Sequence, residues 1–379
     1  MKTMEYKYLE ILPRSILRFI EVVLRSLLIF CIYAACQNEA RVVAADQVIT
    51  SKETLFGKIE SVSTEAIRLL PRGSTNAVRE IGVTDVVMIQ FSDEPKNLIE
   101  AKKRLIKNDF DGALEALEQV NEGEVQSASV AVRGEYAYVR AEAAGHVAMD
   151  TTKELPSALS SIEEVLDQFT RSIHYYDLLE TAGDLERALR RYDKATAIYK
   201  KISRGPPPMV VRAGRLQGNV LAAEGRHAEA IAEYEKVQST NLDGSFIEQE
   251  KIMACLGQAE SLISLSRFDE AVSLISSMLA ETYPEGEPVI ATNILLGKAY
   301  SLLGQSFLEL KQDQDALIAY LTVDLVYGDV LDTHAEALFR LFHLWNKGGY
   351  PRRSAEVRQR LIEAYPQSTW AAELNPSAK

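Results

Sequence analysis

The chain has 379 residues, 47% of them hydrophobic, which is enough apolar surface for two or three ordinary domains or one long repeat array. Its net charge is −12 at pH 7, and −11 of that falls in residues 95–379. This acidic balance argues against general binding of nucleic-acid phosphates, which relies on clustered Lys and Arg.

Residues 1–45 are predicted to be an export signal. After a positively charged start, residues 26–38 (SLLIFCIYAACQN) form an uncharged stretch of 13 residues. This stretch is shorter than the ~20 apolar residues that span a bilayer, but it suits the core of a signal peptide. Small residues then stand at Val43–Ala45. We therefore expect cleavage after Ala45 and export to the periplasm or cell envelope of a bacterium.

Two alternatives to this cleavage stay open. The segment Ala34–Cys36 is similar to the end of a bacterial lipoprotein signal, in which Cys36 would be acylated, although Tyr33 stands where Leu is usual. The other alternative is an uncleaved anchor over Ile16–Cys36, which three charged residues interrupt. Cleavage after Ala45 would leave Cys255 as the single cysteine, so no internal disulfide is expected.

Residues 46–94 are predicted to form a small β module, because apolar and polar residues alternate with period two over residues 46–70 and a buried-strand run follows at Val86–Phe91. Strands are expected near 47–51, 54–62, 65–70, 77–82 and 86–91. Gly57 would allow a strongly bent second strand, and the two aromatic residues, Phe56 and Phe91, are expected in the core. The pattern looks like a small antiparallel Sm-like barrel. We expect the module to cover the first helix of the segment that follows.

From residue 97 to about 370 one pattern recurs, a turn followed by a helical stretch with an anchoring alanine. Clear copies read GRHAEAIAEY from Gly225 and KQDQDALIAY from Lys311. Aromatic or aliphatic residues mostly follow the anchor at +4 and +7. In four copies the residue at −12 is small, which lets two helices of a hairpin approach closely. The anchors are Ala113, Ala158, Ala188, Ala230, Ala271, Ala316 and Ala355.

This pattern resembles the tetratricopeptide repeat (TPR) family. Its small–large–small–large–small order is carried by Gly218, Leu221, Ala230, Tyr234 and Val237, and by Gly304, Phe307, Ala316, Tyr320 and Val323. The copies mostly exceed the family period of ~34 residues, and an insertion is expected before Ala158. The predicted fold class is therefore mainly α: a TPR-like superhelix of about seven α-hairpins over 97–370. A barrel-like antiparallel β module at 46–94 precedes it, and a tail at 371–379 follows.

The sequence contains no recognisable catalytic spacing. The five histidines are dispersed without zinc-binding spacing, and the chain has no Gly-x-Ser-x-Gly elbow, phosphate-cradling glycine loop or Cys-x-x-Cys. Cys255 falls on a helix stripe four residues before Ala259, which predicts a buried thiol. We therefore predict that the protein is not an enzyme and that it needs no metal or cofactor.

The resemblance also implies a binding groove. In the TPR family the first helix of each repeat lines the concave face, where some members hold a peptide carboxylate with basic and Asn side chains. The groove candidates at matching positions are Arg212, Arg215, Asn219, Lys298, Gln305 and Arg340. Each could instead belong to a solvated polar face.

The predicted function is a monomeric, non-enzymatic scaffold of the cell envelope whose concave face binds a protein or peptide. The alternative is a nucleic-acid-binding or assembly protein that acts through the Sm-like module. The acidic charge and the export signal oppose that alternative.

Overall fold

The computed structural model describes residues 45–73, 77–282, 290–328 and 330–374. The predicted signal core, Cys36 and the end of the predicted tail lie outside these residues. No helix in the described ranges combines the length and the apolar character that a membrane span requires.

The N-terminal module is a five-stranded antiparallel sheet. Its strands are β1 (Asp46–Thr50), β2 (Thr54–Val62), β3 (Ala66–Pro71), β4 (Arg79–Gly82) and β5 (Val86–Gln90), in the order β4–β3–β2–β1–β5. The predicted strands are confirmed. The sheet is open rather than barrel-like, because β4 pairs only with β3, and β5 only with β1.

The close backbone approach expected at Gly57 in β2 is present. A β carbon on Gly57 would collide with the backbone of Leu70 on β3, so only glycine fits this close approach. The β2–β3 register also shifts between Ile59 and Ser61. Phe91 is buried, but Phe56 is 50% exposed, so its predicted core position was wrong. The period of the strand places Phe56 on the solvent face of β2.

Sixteen α-helices follow in the described part of the chain. The first are α1 (Lys96–Ile106), α2 (Phe110–Glu118), the short α3 (Glu122–Ser127), α4 (Val130–Thr151), α5 (Leu155–Gln168), α6 (Tyr175–Ala188), α7 (Tyr192–Ile202), α8 (Pro207–Ala223) and α9 (His227–Gln238). The others are α10 (Ser245–Ser264), α11 (Phe268–Thr282), α12 (Ile290–Glu309), α13 (Asp313–Val326), α14 (Leu331–Lys347), α15 (Pro351–Ala364) and the short α16 (Thr369–Leu374).

These helices pair into hairpins, which are α1–α2, α4–α5, α6–α7, α8–α9, α10–α11, α12–α13 and α14–α15. The seven hairpins confirm the predicted repeat architecture. From α4 to α14, the first helices of successive hairpins also contact one another. They therefore form one continuous layer, which we call the inner layer.

Contacts between glycine and tyrosine close several hairpins. A β carbon on Gly218 of α8 would lie 2.6 Å from the ring of Tyr234 on α9, and Gly304 stands in the same relation to Tyr320. Both rings are almost fully buried. The small–large pairing expected in these two copies is thus confirmed.

The predicted register of the third copy was wrong. Ala188 is exposed at the end of α6, whereas Ala195 on α7 is fully buried. Ala195 lies twelve residues after Gly183 and four before Tyr199, whose ring packs on that glycine. The stretch after Gly183 therefore completes the first helix instead of forming the turn. With this correction the anchors on either side lie 37 and 35 residues away, close to the family period of ~34.

Two further irregular copies also differ from expectation. In the second hairpin α4 is continuous over 22 residues, so a longer first helix replaces the expected insertion before Ala158. In the seventh hairpin Ala355 is exposed and Ser354 is buried. The Ser354 hydroxyl donates to the Phe342 carbonyl at 3.2 Å, which turns this side chain towards α14.

The sheet does not stand apart from the hairpins. Ile89 of β5 shares one hydrophobic core with Leu98 of α1. Thr64, in the β2–β3 turn, lies near the hydroxyl of Tyr176 on α6, and the 3₁₀ turn Val83–Asp85 contacts α10. The module therefore reaches past the first helix, its expected partner, to the inner layer of the fifth hairpin.

Every hairpin turn places a residue in the left-handed region, with φ between 53° and 78°. These residues are Asn108, Thr152 and Glu154, Arg190, Gly225, Ser266, Lys311 and Gly349. A non-glycine residue is strained there because its β carbon crowds the backbone.

Ser266→Gly is therefore expected to raise the free energy of unfolding by about 1 kcal/mol. Ser266 is exposed with φ of 58°, so the substitution relieves strain with little loss of packing. Urea unfolding would measure the change. Gly225→Ala, at φ of 78° in the α8–α9 turn, is the matched control and should shift the midpoint the opposite way. A lower midpoint for Ser266→Gly would contradict the strain argument.

Candidate functional site

The six groove candidates all lie on first helices of the hairpins. Arg212, Arg215 and Asn219 lie on α8, Lys298 and Gln305 on α12, and Arg340 on α14.

Arg212 and Arg215 belong to a buried ion-pair network. Arg215 donates from Nη2 to Glu180 Oε1 at 2.7 Å, and from Nε to Glu250 Oε2 at 2.5 Å. Arg212 donates from Nη1 to Asp177 Oδ1 at 2.7 Å. The carboxylates come from α6 and α10, so the network joins the first helices of three successive hairpins.

The network holds Arg215 and Asp177 in their charged forms. Burial alone would lower the pKa of Arg215, but the charges and hydrogen bonds of Glu250 and Glu180 outweigh it and raise that pKa well above its ordinary value. Burial alone would raise the pKa of Asp177, yet Arg212 and His174 hold it well below its usual range. These two arginines are thus already neutralised by the protein.

The same network continues towards the sheet. His174 Nδ1 lies 3.7 Å from Asp177 Oδ2, and its Nε2 lies 3.0 Å from Glu135 Oε1. Lys102 Nζ then bridges Glu135 and Glu94, at 2.8 Å from each. We call this continuous set the ionic ladder. Its members are Glu94, Lys102, Glu135, His174, Asp177, Glu180, Arg212, Arg215 and Glu250.

The repeat pattern alone did not point to the carboxylates of the ladder. Asp177 precedes Arg212 by 35 residues, and Glu180 and Glu250 lie 35 residues before and after Arg215. One repeat length therefore separates each pair. Opposite charges at that spacing are the signal that could have revealed them, because equivalent positions of neighbouring first helices face each other in a solenoid.

Stability is expected to fall as the pH rises from about 6.5 to 9, because His174 loses its proton over this range. Burial alone would lower the pKa of His174, but the charge of Glu135, the hydrogen bond to it and the nearby Asp177 carboxylate raise it to about 9. The folded pKa exceeds the unfolded value of about 6.5. The stabilisation is therefore complete below pH 6.5 and is lost as the pH passes through 9.

Urea unfolding at pH 6.5 and pH 9.5 would measure this loss, which we expect to be on the order of 2 kcal/mol. His174→Gln is the control, since Gln can keep a hydrogen bond but cannot titrate. The same pH dependence in this variant as in wild type would contradict the assignment to His174.

A cleft of about 380 Å³ opens on the inner layer beside the ladder. Its lining comes from α6, α8, α9, α10 and α12, and three of the groove candidates, Arg215, Asn219 and Lys298, lie in it. We call it the inner cleft. The apolar part of its lining includes Ala223, Met253, Leu256 and Leu295.

Two polar side chains of the inner cleft are oriented by neighbours. The Asn219 carbonyl oxygen accepts a hydrogen bond from the Tyr234 hydroxyl at 2.8 Å, which turns its amide nitrogen away from that partner. Lys298 Nζ lies 2.7 Å from Glu260 Oε1, and both side chains are about half exposed, at 48% and 47%. The cleft thus offers an amide donor and a solvent-accessible ammonium group over an apolar surface.

The remaining two candidates lie outside the lining of the inner cleft. Gln305 is half-buried further along α12. The Arg340 guanidinium stands 5.2 Å from the ring centre of Trp370 on α16, a cation–π contact, and 3.4 Å from Glu336. Trp370 of α16 therefore covers part of the surface around Arg340.

The described residues hold no cluster of three or more His, Cys, Asp or Glu side chains that could bind a metal ion. Cys255 is 4% exposed, as the helix stripe predicted. Burial and the charge of Glu281 raise its pKa to about 12. A protonated thiol in the core is a poor nucleophile at neutral pH.

Comparison with known proteins agrees with the repeat geometry. Residues 177–243, which include most of α6 and all of α7, α8 and α9, match the family model described as Tetratricopeptide repeat. Residues 177–243 therefore carry tetratricopeptide repeats, as the sequence pattern predicted. No curated protein matches the chain.

Several solved structures are similar in part. PilW, a type IV pilus biogenesis factor, is 16% identical, with 62% of this chain and 97% of that chain covered and a TM-score of 0.42. A tetratricopeptide repeat protein from Parabacteroides merdae is 14% identical, with coverage of 74% and 96% and a TM-score of 0.45. YrrB, a TPR protein with an unusual peptide-binding site, is 13% identical, with coverage of 57% and 97% and a TM-score of 0.35. At these values none of them assigns a ligand to this chain.

Proposed function

We propose that the protein is a non-enzymatic scaffold that holds a segment of another protein in the inner cleft. The observation that carries this proposal is the lining of the cleft, which combines an apolar surface with oriented polar groups on consecutive first helices. A cleft of this kind binds a chain by burying side chains and by hydrogen bonding to its backbone.

The chemistry favours an extended peptide. The Asn219 amide nitrogen can donate to a backbone carbonyl, because the Tyr234 hydroxyl already holds its carbonyl oxygen. Met253 and Leu295 are half-buried and can pack against an apolar side chain. Lys298 can leave its ion pair with Glu260 and pair with an acidic group of the ligand instead. Exposed ion pairs of this kind contribute little to stability, so the exchange costs little free energy.

The test needs variants that leave the ionic ladder intact. Replacing Arg212 and Arg215 would break buried ion pairs, so lost binding could reflect unfolding. Ala223 lines the cleft and is exposed, so Ala223→Trp should fill the cleft without disturbing the core. Ala228 is exposed on α9 outside the cleft lining and gives the matched control, Ala228→Trp.

A peptide selected from an unbiased displayed library against the full chain would be the probe, with affinity measured by fluorescence anisotropy. Ala223→Trp is expected to weaken binding about tenfold or more, through loss of buried contact area. Ala228→Trp should bind as wild type does. Equal affinity of wild type and Ala223→Trp would contradict the cleft as the binding site.

We also propose that the scaffold works in the bacterial cell envelope after cleavage following Ala45. The Asp46 side chain supports this site, because it accepts hydrogen bonds from the Ile59 and Ser92 backbone N–H groups, both at 2.9 Å. A chain that begins at Asp46 would keep these bonds and the whole sheet. Intact mass measurement of protein from envelope fractions should give the mass of residues 46–379. An acylated Cys36 or an uncut chain would contradict this site.

A further inference from the structure

A second pocket, of about 350 Å³, lies where the sheet meets the second hairpin. Two lining residues come from the sheet: Val62 is the last residue of β2, and Phe91 directly follows β5. Val130 begins α4, and Phe169 and Arg171 lie in the loop between α5 and α6. We call this the junction pocket. It shares no lining residue with the inner cleft.

The junction pocket is apolar at its walls. Phe91 is buried and Phe169 half-buried, while Val130 keeps 63% of its surface exposed. An exposed branched side chain beside two aromatic rings is surface that a ligand could cover with a gain in free energy.

The polar groups of the pocket mainly favour an anion. Glu135 is the single acidic residue of the lining, and Lys102 at 2.8 Å and His174 at 3.0 Å already compensate its charge. Arg171 is exposed and forms no ion pair within the described residues. The Ser172 hydroxyl oxygen accepts a hydrogen bond from the backbone N–H of His174 at 3.1 Å. The hydroxyl proton of Ser172 is therefore available to donate to a ligand. The lining therefore has available donors and no uncompensated acid.

We propose that the junction pocket binds a small apolar carboxylate. The carboxylate would pair with Arg171 and Ser172, and the apolar group would pack against Phe91, Phe169 and Val130. Ligand pockets measure about 300–1,000 Å³, so this volume suits a small aromatic or branched group. A free acid and the terminal residue of a protein share this chemistry. The small volume favours the free acid.

The junction pocket is independent of the proposed scaffold function, because it is another site and takes another class of ligand. A ligand bound there should also change the stability of the fold. The walls come from both the sheet and the helices, so a bound acid would stabilise their joint folded state by mass action.

The experiment compares phenylacetate with phenylacetamide, its neutral analogue, by calorimetry on the full chain. Phenylacetate is expected to bind, and the amide to bind about tenfold more weakly, because the charge-assisted hydrogen bonds are lost. Arg171→Glu and Val130→Trp should each abolish binding, whereas Arg171→Lys should retain part of it. Arg352→Glu changes the charge of an exposed residue on α15 and is the matched control. It should bind as wild type does, and so should Ala223→Trp.

Both Arg171 and Val130 are exposed, so each variant is expected to fold. Thermal unfolding would verify that it does. Equal affinity for acid and amide would overturn the proposal, and so would binding that survives both Arg171→Glu and Val130→Trp. Absence of binding by phenylacetate, isovalerate, indole-3-acetate and octanoate would overturn it too. Tighter binding by a peptide that ends in Phe with a free carboxylate would overturn the free acid as the ligand.

Discussion

Arg215→Ala is expected to lower the free energy of unfolding by about 3–5 kcal/mol, because it leaves buried carboxylates without their partner. The Arg215 side chain is 6% exposed and holds Glu250, which is 2% exposed, at 2.5 Å. Arg212, at 3.3 Å from Glu250, compensates only part of the loss.

The substitution should also make unfolding less cooperative. A repeat array is stabilised by contacts between neighbouring repeats, and Arg215 connects α6, α8 and α10 at once. Without it, the hairpins on either side of α8 are coupled by fewer contacts. We therefore expect a lower slope of the unfolding free energy against urea as well as a lower midpoint.

Urea unfolding followed by circular dichroism would measure both effects. The control is Arg226→Ala, since Arg226 forms ion pairs with Glu224 and Glu229 at 2.8 Å and 2.6 Å on the surface. Solvent screens such pairs, so no measurable change is expected. The double variant Arg215→Ala/Glu250→Ala should lose less than the sum of the single losses, because it removes the stranded charge as well. If Arg215→Ala were as mild as Arg226→Ala, the ladder would not be a source of stability.

The ladder shows what periodicity can and cannot predict. The repeat register assigned Arg215, Asn219 and Lys298 to first helices, and these three side chains line one cleft. The register assigns a residue to a helix face but says nothing of the side chain opposite. Glu250 and Glu180 therefore went unnoticed, and Arg215 was predicted as a groove cation although it is paired and buried.

The sheet shows the same limit. Alternation of apolar and polar residues located the first strands, and the apolar run Val86–Phe91 located β5. Neither pattern predicted that the turn Val83–Asp85 would reach α10, since a contact across so much sequence depends on how the hairpins stack. The third hairpin was misregistered because Ala188 and Ala195 both follow helical spacing. Only the packing of Tyr199 on Gly183 distinguishes them.

Tyr234→Ala is expected to lower the free energy of unfolding by about 3–5 kcal/mol, as other aromatic-to-alanine changes in cores do. The ring of Tyr234 is 1% exposed and fills the space between two successive hairpins. A β carbon on Gly218 of the same hairpin, or on Gly257 of the next, would lie 2.6 Å from it. Its removal leaves a cavity that two rigid first helices cannot close.

Tyr234→Phe separates the ring from its hydroxyl. This variant loses only the hydrogen bond to Asn219 and should cost about 1 kcal/mol. Urea unfolding of both variants would compare the two contributions. A larger loss for Tyr234→Phe than for Tyr234→Ala would contradict the role of the ring.

Gly218→Ala provides the sharper test of the same contact. In the wild-type background its methyl group would collide with the Tyr234 ring, and overpacking of this kind costs about 1–3 kcal/mol. In the Tyr234→Ala background the ring is absent, so Gly218→Ala should be neutral or stabilising, because alanine favours a helix over glycine by about 1 kcal/mol. The sign of its effect should therefore reverse between the two backgrounds. Additive effects would mean that Gly218 and Tyr234 do not determine each other's packing.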